Sequence, residues 1–226
     1  MYHFSLGNNT PDFASFFHSV GDEAFCLLTE AFDWHANELT ELQRVHRNAF
    51  RQLDTDIPVS EVPLNYALAL DSILKESNQG KDRARSLGFT GVACINERIF
   101  VCTAGVTRAH LIKDGKLVNV TRDHNMVQDI GDGVEGLSLD VVYEVNPVVF
   151  FSRTRALGLE GTNKPPESVS WGAGTDYTIL ICSERYHHFR DPAEYMESFI
   201  SGENLSLMPH DTNPPGILAK IEYKKD

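Results

Sequence analysis

Nine histidines and four cysteines are the side chains with most scope for chemistry in this sequence. His187-His188 is the densest imidazole pair. Sequence neighbours point in different directions on any regular element, and no third ligand stands at metal-binding spacing, so a solvated pair after a strand is expected there. His110 falls mid-strand beside Arg108, and His124 follows Asp123 at a strand end. A lone carboxylate-imidazole pair serves as a structural hydrogen bond more readily than as half of a catalytic triad. Cys26, Cys94, Cys102 and Cys182 each sit singly inside apolar runs, which predicts buried reduced thiols rather than a disulfide frame or a zinc site. The sequence contains no G-x-S-x-G elbow, Walker loop or dinucleotide glycine pattern, and no cysteine lies in a C-x(5)-R phosphate loop. Nucleophilic catalysis therefore has no candidate. The chemistry that remains is metal-assisted, and it needs several carboxylates at strand ends to hold Mg²⁺ or Mn²⁺.

The elements that would position such groups divide the chain in two. Thr10 can cap a helix, Pro11 suits a first helical position, and Phe13, Phe16, Phe17, Val20, Ala24, Leu27, Leu28 and Ala31 recur at helical spacing. This predicts a helix from Thr10 to about Phe32. A second is predicted over Glu38 to Leu53 and a third over Pro63 to Lys75, before the Asn78-Gln79-Gly80 stop. From Gly88 onward β-branched and aromatic residues are dense and turn dipeptides frequent. FTGVACI and RIFVCTA flank Asn96-Glu97, while RAHLIK and KLVNVT flank Asp114-Gly115, giving two antiparallel hairpins. VVYEV, VVFFS, YTILICS and GILAKIEY supply further strands, with a short helix at about Pro192 to Ile200. Without repeats or low-complexity linkers, residues 1–226 are expected to form a single α+β domain with helices layered on sheets.

Composition narrows the function classes. The 226 residues are 42% apolar, enough for a real core, and the net charge of −12 argues against nucleic acid, whose phosphates need clustered cations. No run approaches the roughly 20 apolar residues of a membrane span, and the N-terminus lacks the basic flank and apolar centre of a signal peptide. No membrane association and a cytoplasmic location are the expectations.

The order of motifs is more specific than any one of them. GFTGVACINERIFVCTAGVTRAHLIKDGKLVNVTRDH, then SRTRALG, then DYTILICSER resemble, in the same order, segments of the PP2C (PPM) family of Mg²⁺/Mn²⁺-dependent Ser/Thr phosphatases. The resemblance covers nearly the whole chain. It implies a PP2C-like sandwich, two mostly antiparallel β-sheets flanked by helices in α-β-β-α layers, with the N-terminal strands truncated. It also marks Arg108, Asp123, His124, Arg155 and Gly158 as family-like structural positions. Arg153 and Arg155 could bind an anion, although ion-paired arginines are the plainer reading.

At the metal-binding turns the sequence departs from the family. Gly7 and Asn8 stand where an Asp-Gly turn is expected, and Val106 replaces the aspartate of a G-D-S-R turn. Glu184 and Arg185 replace Asp-Gly after the YTILICS strand, and Thr212 precedes Asn213, with Asp211 one residue away. Valine has no ligand atom and glycine only its backbone, so no catalytic residue, metal or cofactor is expected. The chain is also expected to start inside the strand that leads to the first metal turn, without the preceding arginine that contacts the substrate phosphate. The resemblance is closer to degenerate, kinase-binding members of the family. Those members have an S-E-G turn against Ser183-Glu184-Arg185, a G-T-N-R turn against Gly105 to Arg108, the Asp123-His124 pair, and a comparable segment at Leu137 to Asp140. It implies a pseudophosphatase that regulates a protein kinase of the MAP kinase kinase kinase (MAP3K) class, together with associated signalling proteins. The C-terminal kinase-activating segment of such members has no counterpart before EYKKD. The alternative is an atypical phosphatase in which Glu184, Asp211, Asp176 and Asp132 or Asp129 gather metal ions. An interaction module of the kind attached to leucine-rich repeats is disfavoured by the absence of repeats.

Overall fold

The apolar run from Phe13 to Phe32 folds as a β-hairpin, not as a helix. In a computed structural model of the chain, residues 1–7, 13–32, 34, 38–131, 152–159, 164–187, 192 and 218–224 are described. Strands β1 (Tyr2–Gly7), β2 (Phe13–Val20) and β3 (Glu23–Phe32) come first. Val20 pairs with Glu23 across a two-residue turn at Gly21-Asp22, and Gly21 takes a φ of 59°, open to glycine at little cost. The helix expected over Thr10 to Phe32 fails for a physical reason. From Cys26 to Phe32 β3 is buried on both faces, and a continuous apolar run satisfies helical spacing and strand alternation alike. The turn decides between them.

The order of these strands also moves the start of the fold. The sequence suggests a chain beginning inside the third strand, whereas the structure places β1 and β2 ahead of β3. The turn that follows the third strand therefore lies beyond Phe32, not at Gly7.

Helices α1 (Leu39–Gln52) and α2 (Val62–Asn78) lie where the sequence predicts them. Their apolar stripes, Leu42, Val45 and Ala49 on one and Tyr66, Ala67, Leu70 and Leu74 on the other, pack with Leu27, Leu87 and Phe89 of the adjacent sheet. Inside this layer His46 is pinned between the Tyr66 hydroxyl at 2.7 Å and the Thr29 hydroxyl at 3.1 Å. Burial lowers its pKa to about 4.

Both expected hairpins form. β4 (Ser86–Ile95) pairs with β5 (Arg98–Ala104), and β6 (Arg108–Lys113) pairs with β7 (Lys116–Val120). Asn96 and Asp114 take left-handed turn conformations at φ 53° and 50°. The remaining elements are α3 (Met126–Gly131), β8 (Glu167–Gly172), β9 (Tyr177–Cys182), the single turn α4 (Glu184–His187) and β10 (Leu218–Tyr223). The segments VVYEV and VVFFS and the helix expected near Pro192 to Ile200 fall almost wholly outside the described residues.

Two five-stranded antiparallel sheets result, in the orders β1-β10-β9-β6-β7 and β2-β3-β4-β5-β8. Ala24, Cys26, Leu28, Val92 and Ile99 of one sheet meet Ala109, Leu111, Ile179, Ile181 and Ile221 of the other in the central core. The α1-α2 layer covers the outer face of the second sheet. All four cysteines are buried free thiols, as their apolar settings predict, and burial pushes Cys94 and Cys102 up to about 12.

Candidate functional site

Strand alternation places the first functional side chain. Ala24, Cys26 and Leu28 of β3 face the core between the sheets, so Glu30 and Phe32 continue that face at the strand's end. Glu30 is only 1% exposed. Across the gap, β9 ends at Cys182, and Ser183 leads into α4, which opens with Glu184. The backbone N–H of Glu184 donates to Glu30 Oε2 at 3.2 Å, joining the two sheets at one mouth. The buried Glu30 carboxylate thus ties the end of β3 to the backbone at the start of α4.

A cation meets Glu184 there. Arg153 is held by an antiparallel bridge to Asn125, and its guanidinium donates to Glu184 Oε2 at 2.9 Å. The same guanidinium stacks on Phe32, 3.5 Å from the ring centroid. Charge-assisted pairing and cation–π contact each contribute more away from water, so Arg153 is fixed by Glu184 and Phe32 together.

Behind the mouth lies a buried polar layer. Arg108, at the start of β6, binds Asp123 through two parallel hydrogen bonds of 2.8 Å. Burial alone would raise the Asp123 carboxyl, but the hydrogen bonds and charge of Arg108 outweigh it and hold the pKa below its ordinary value. The carboxylate that Arg108 meets is only 5% exposed, so the pair is internal and not a surface one. Asp123 and His124 were expected to bond each other at the strand end, and each has a different partner. The Gly105 N–H donates to His124 Nδ1 at 3.2 Å, which leaves the proton on Nε2, 2.6 Å from Glu167 Oε2. Burial lowers the His124 pKa, against the raising effect of Glu167. Arg155 also donates to Glu167, at 3.2 Å.

His187 corrects the expectation of a solvated histidine pair. It is completely buried, because α4 folds it back under the mouth, where its Nε2–H donates to the Val106 carbonyl at 2.6 Å. Burial, with the nearby Arg108 charge, lowers its pKa to about 3. His110, buried in β6 beside the Leu180 carbonyl, is likewise lowered to about 3, chiefly by burial. Neither imidazole can act as a base near neutral pH while so enclosed. His188 lies outside the described residues.

The remaining sequence candidates scatter. Gly7 ends β1 and pairs with Leu218, which in turn pairs with Cys182, so it sits two strands from the Glu184 end. Val106 is buried and contributes its carbonyl to His187. Arg185 follows Glu184 in α4. Asp176 lies at the opposite end of β9 from Glu184, about 20 Å along the strand. Asp129 pairs with Arg122 and Lys164. Gly158 takes a φ of 80° against α2. Asn8, Asp132, Asp211 and Thr212 lie outside the described residues. Glu30 was missed because its segment reads as helix; counted at period two, it falls in line with Ala24, Cys26 and Leu28. Among the described residues no group of three or more His, Cys, Asp or Glu side chains is placed to hold a metal ion, and no helix is long and apolar enough to cross a membrane.

No protein-family model and no curated protein matches the sequence. Solved structures do. A Streptococcus agalactiae serine/threonine phosphatase is 14% identical with a TM-score of 0.75, covering 100% of both chains. The Mycobacterium tuberculosis serine/threonine phosphatase PstP is 15% identical with a TM-score of 0.73, covering 100% of this chain and 99% of that one. The PPM Ser-Thr phosphatase MsPP of Mycobacterium smegmatis, solved with cacodylate, is 15% identical with a TM-score of 0.66, covering 100% and 98%. At such identities the likeness speaks to architecture, and it runs the length of the chain: two antiparallel sheets flanked by helices, in the fold of the PP2C/PPM Ser/Thr phosphatases.

Proposed function

We propose that this chain is a catalytically inactive PP2C-like protein, a regulator or adaptor that works by binding a protein partner. The observation that carries the reading is Arg153 at the mouth of the sandwich, paired with Glu184 and stacked on Phe32. A divalent cation such as Mg²⁺ asks for about six oxygen ligands in near-octahedral order. The described residues bring Glu30 and Glu184, of which Glu184 already neutralises a guanidinium, and the neighbouring Val106 side chain has no oxygen. This donor set does not fit a two-metal centre.

The partner class comes from the resemblance of Ser183-Glu184-Arg185, Gly105 to Arg108 and Asp123-His124 to kinase-binding pseudophosphatases, which points to a MAP3K-class kinase and its associated signalling proteins. The fold suits that role, because a rigid two-sheet core can present loops and helix faces without chemistry at its centre. A second reading, an atypical Mg²⁺/Mn²⁺-dependent Ser/Thr phosphatase, has one observation in its favour: two buried acidic residues, Glu30 and Glu184, lie at the same mouth.

Two measurements separate these readings. Thermal unfolding of the full chain with and without Mn²⁺ is expected to give the same midpoint, whereas a metal-dependent rise would favour the atypical enzyme. Co-precipitation with a MAP3K catalytic domain is expected to recover the complex. Failure to bind in full-length and catalytic-domain forms of the kinase would reject that partner class.

A further inference from the structure

Helix α1 carries its positive charge as a stripe. Arg44, Arg47 and Arg51 follow at spacings of three and four, so they share one face over about 10 Å of helix. That face is exposed, with Leu42, Val45 and Ala49 on the buried side. Arg44 donates twice to Glu41, at 2.8 and 2.6 Å, while Arg47 and Arg51 have no carboxylate partner among the described residues. Beside the stripe, α1 and α2 part to leave a groove of about 510 Å³, bounded by Arg44, Arg51, Ile73, Glu76 and Ser77 among others. In a chain of net charge −12, α1 has three arginines and one glutamate, so the excess of positive charge lies on the α1 side, opposite Glu76 on the α2 wall of the groove. All three cations are arginines, whose planar forks match carboxylates in pairs.

The geometry points to a docking site on the α1-α2 face for an acidic peptide segment of a protein partner. Asp and Glu side chains of the segment pair with Arg47 and Arg51, and one aliphatic side chain enters the groove against half-buried Ile73. A volume of this size takes two or three side chains, which suits a segment rather than a domain. The overall negative charge does not prevent this, because at physiological ionic strength fields fade over about 8 Å and the nearest arginines govern the encounter. This inference rests on the reading of the chain as a binding protein and names the surface that binds.

The test is fluorescence anisotropy on the full chain with a labelled peptide rich in Asp and Glu around one Leu, beside the same peptide with Asn and Gln in their places. The acidic peptide is expected to bind with an affinity that falls on adding salt, and the amide peptide to bind far more weakly. Reversing Arg47→Glu and Arg51→Glu together is expected to weaken the acidic peptide about tenfold or more. If the reversed chain is unstable, Arg47→Gln with Arg51→Gln replaces it, with a smaller loss in the same direction. Equal binding of the amide peptide, or unchanged binding by the substituted chains, would overturn the proposal. A phosphoserine peptide binding more tightly than the Asp/Glu peptide would overturn its commitment to carboxylates. Turnover of a phosphate ester with Mn²⁺ would defeat the inactive reading alone, and loss of peptide selectivity without turnover would defeat the docking face alone.

Discussion

Asp123 and Arg108 form the most enclosed ion pair near the mouth, with 5% and 10% of their side chains exposed. Removing one partner strands the other charge away from water, so Asp123→Asn is expected to cost about 3 kcal/mol in urea unfolding. A cost well under 1 kcal/mol would mean that water reaches the pair. Arg153 and Glu184 are more open, at 21% and 11%, so Arg153→Ala is expected to cost a smaller amount, about 1 to 2 kcal/mol. The buried histidines set the acid limit. His110 and His187 are lowered to about 3 and His46 to about 4, so below the unfolded histidine value the unfolded chain takes up protons first. Stability therefore falls as pH drops from about 6.5 toward 3, by about 2 kcal/mol per histidine at pH 5. The depressed Asp123 pKa acts in the same direction at lower pH: its contribution is present above the unfolded carboxylate pKa and is lost as pH falls through the folded one. A urea midpoint that stays level between pH 7 and pH 5 would contradict these burials. None of this was legible at His187, because sequence gives a histidine's neighbours along the chain and not the carbonyl 81 residues away that satisfies it.

The segment 152–159 is fastened to α2 at a point the sequence marks only as Gly158. Its φ is 80°, and an added Cβ would lie 2.7 Å from the Leu74 Cβ and 2.8 Å from the Arg85 carbonyl oxygen. The Asn78 amide donates to the carbonyls of Arg85 and Gly158, at 2.8 and 3.0 Å, and accepts from the Arg85 N–H at 3.0 Å, so neither side can retreat freely. Gly158→Ala is accordingly expected to cost about 3 kcal/mol, by the same unfolding assay, from left-handed strain and backbone collision together. A cost near zero would show that the clasp yields. Elements of this kind were legible where a local signal set them. α1 and α2 have polar and apolar faces, and the β4-β5 and β6-β7 hairpins have Asn96 and Asp114-Gly115 at their turns. The β2-β3 hairpin was not, because β3 is buried on both faces and its apolar positions satisfy either period. That one misreading hid Glu30, the carboxylate that meets Glu184, and displaced the expected first turn to Gly7.

At the scale of the whole molecule, the two sheets hold a PP2C/PPM phosphatase frame at 14–15% identity to solved enzymes, so the frame places few demands on particular residues. At the mouth, the Glu184 backbone N–H donates to Glu30 and the Arg153 guanidinium donates to the Glu184 carboxylate. The inactive reading rests on Arg153 occupying the Glu184 carboxylate, and phosphatase activity is the measurement that addresses it most directly. p-Nitrophenyl phosphate turnover by the full chain in saturating Mn²⁺, beside Glu184→Ala and an empty-vector preparation, is expected to show no activity above the control in either protein. Mn²⁺-dependent turnover by the natural chain that Glu184→Ala abolishes would contradict the account.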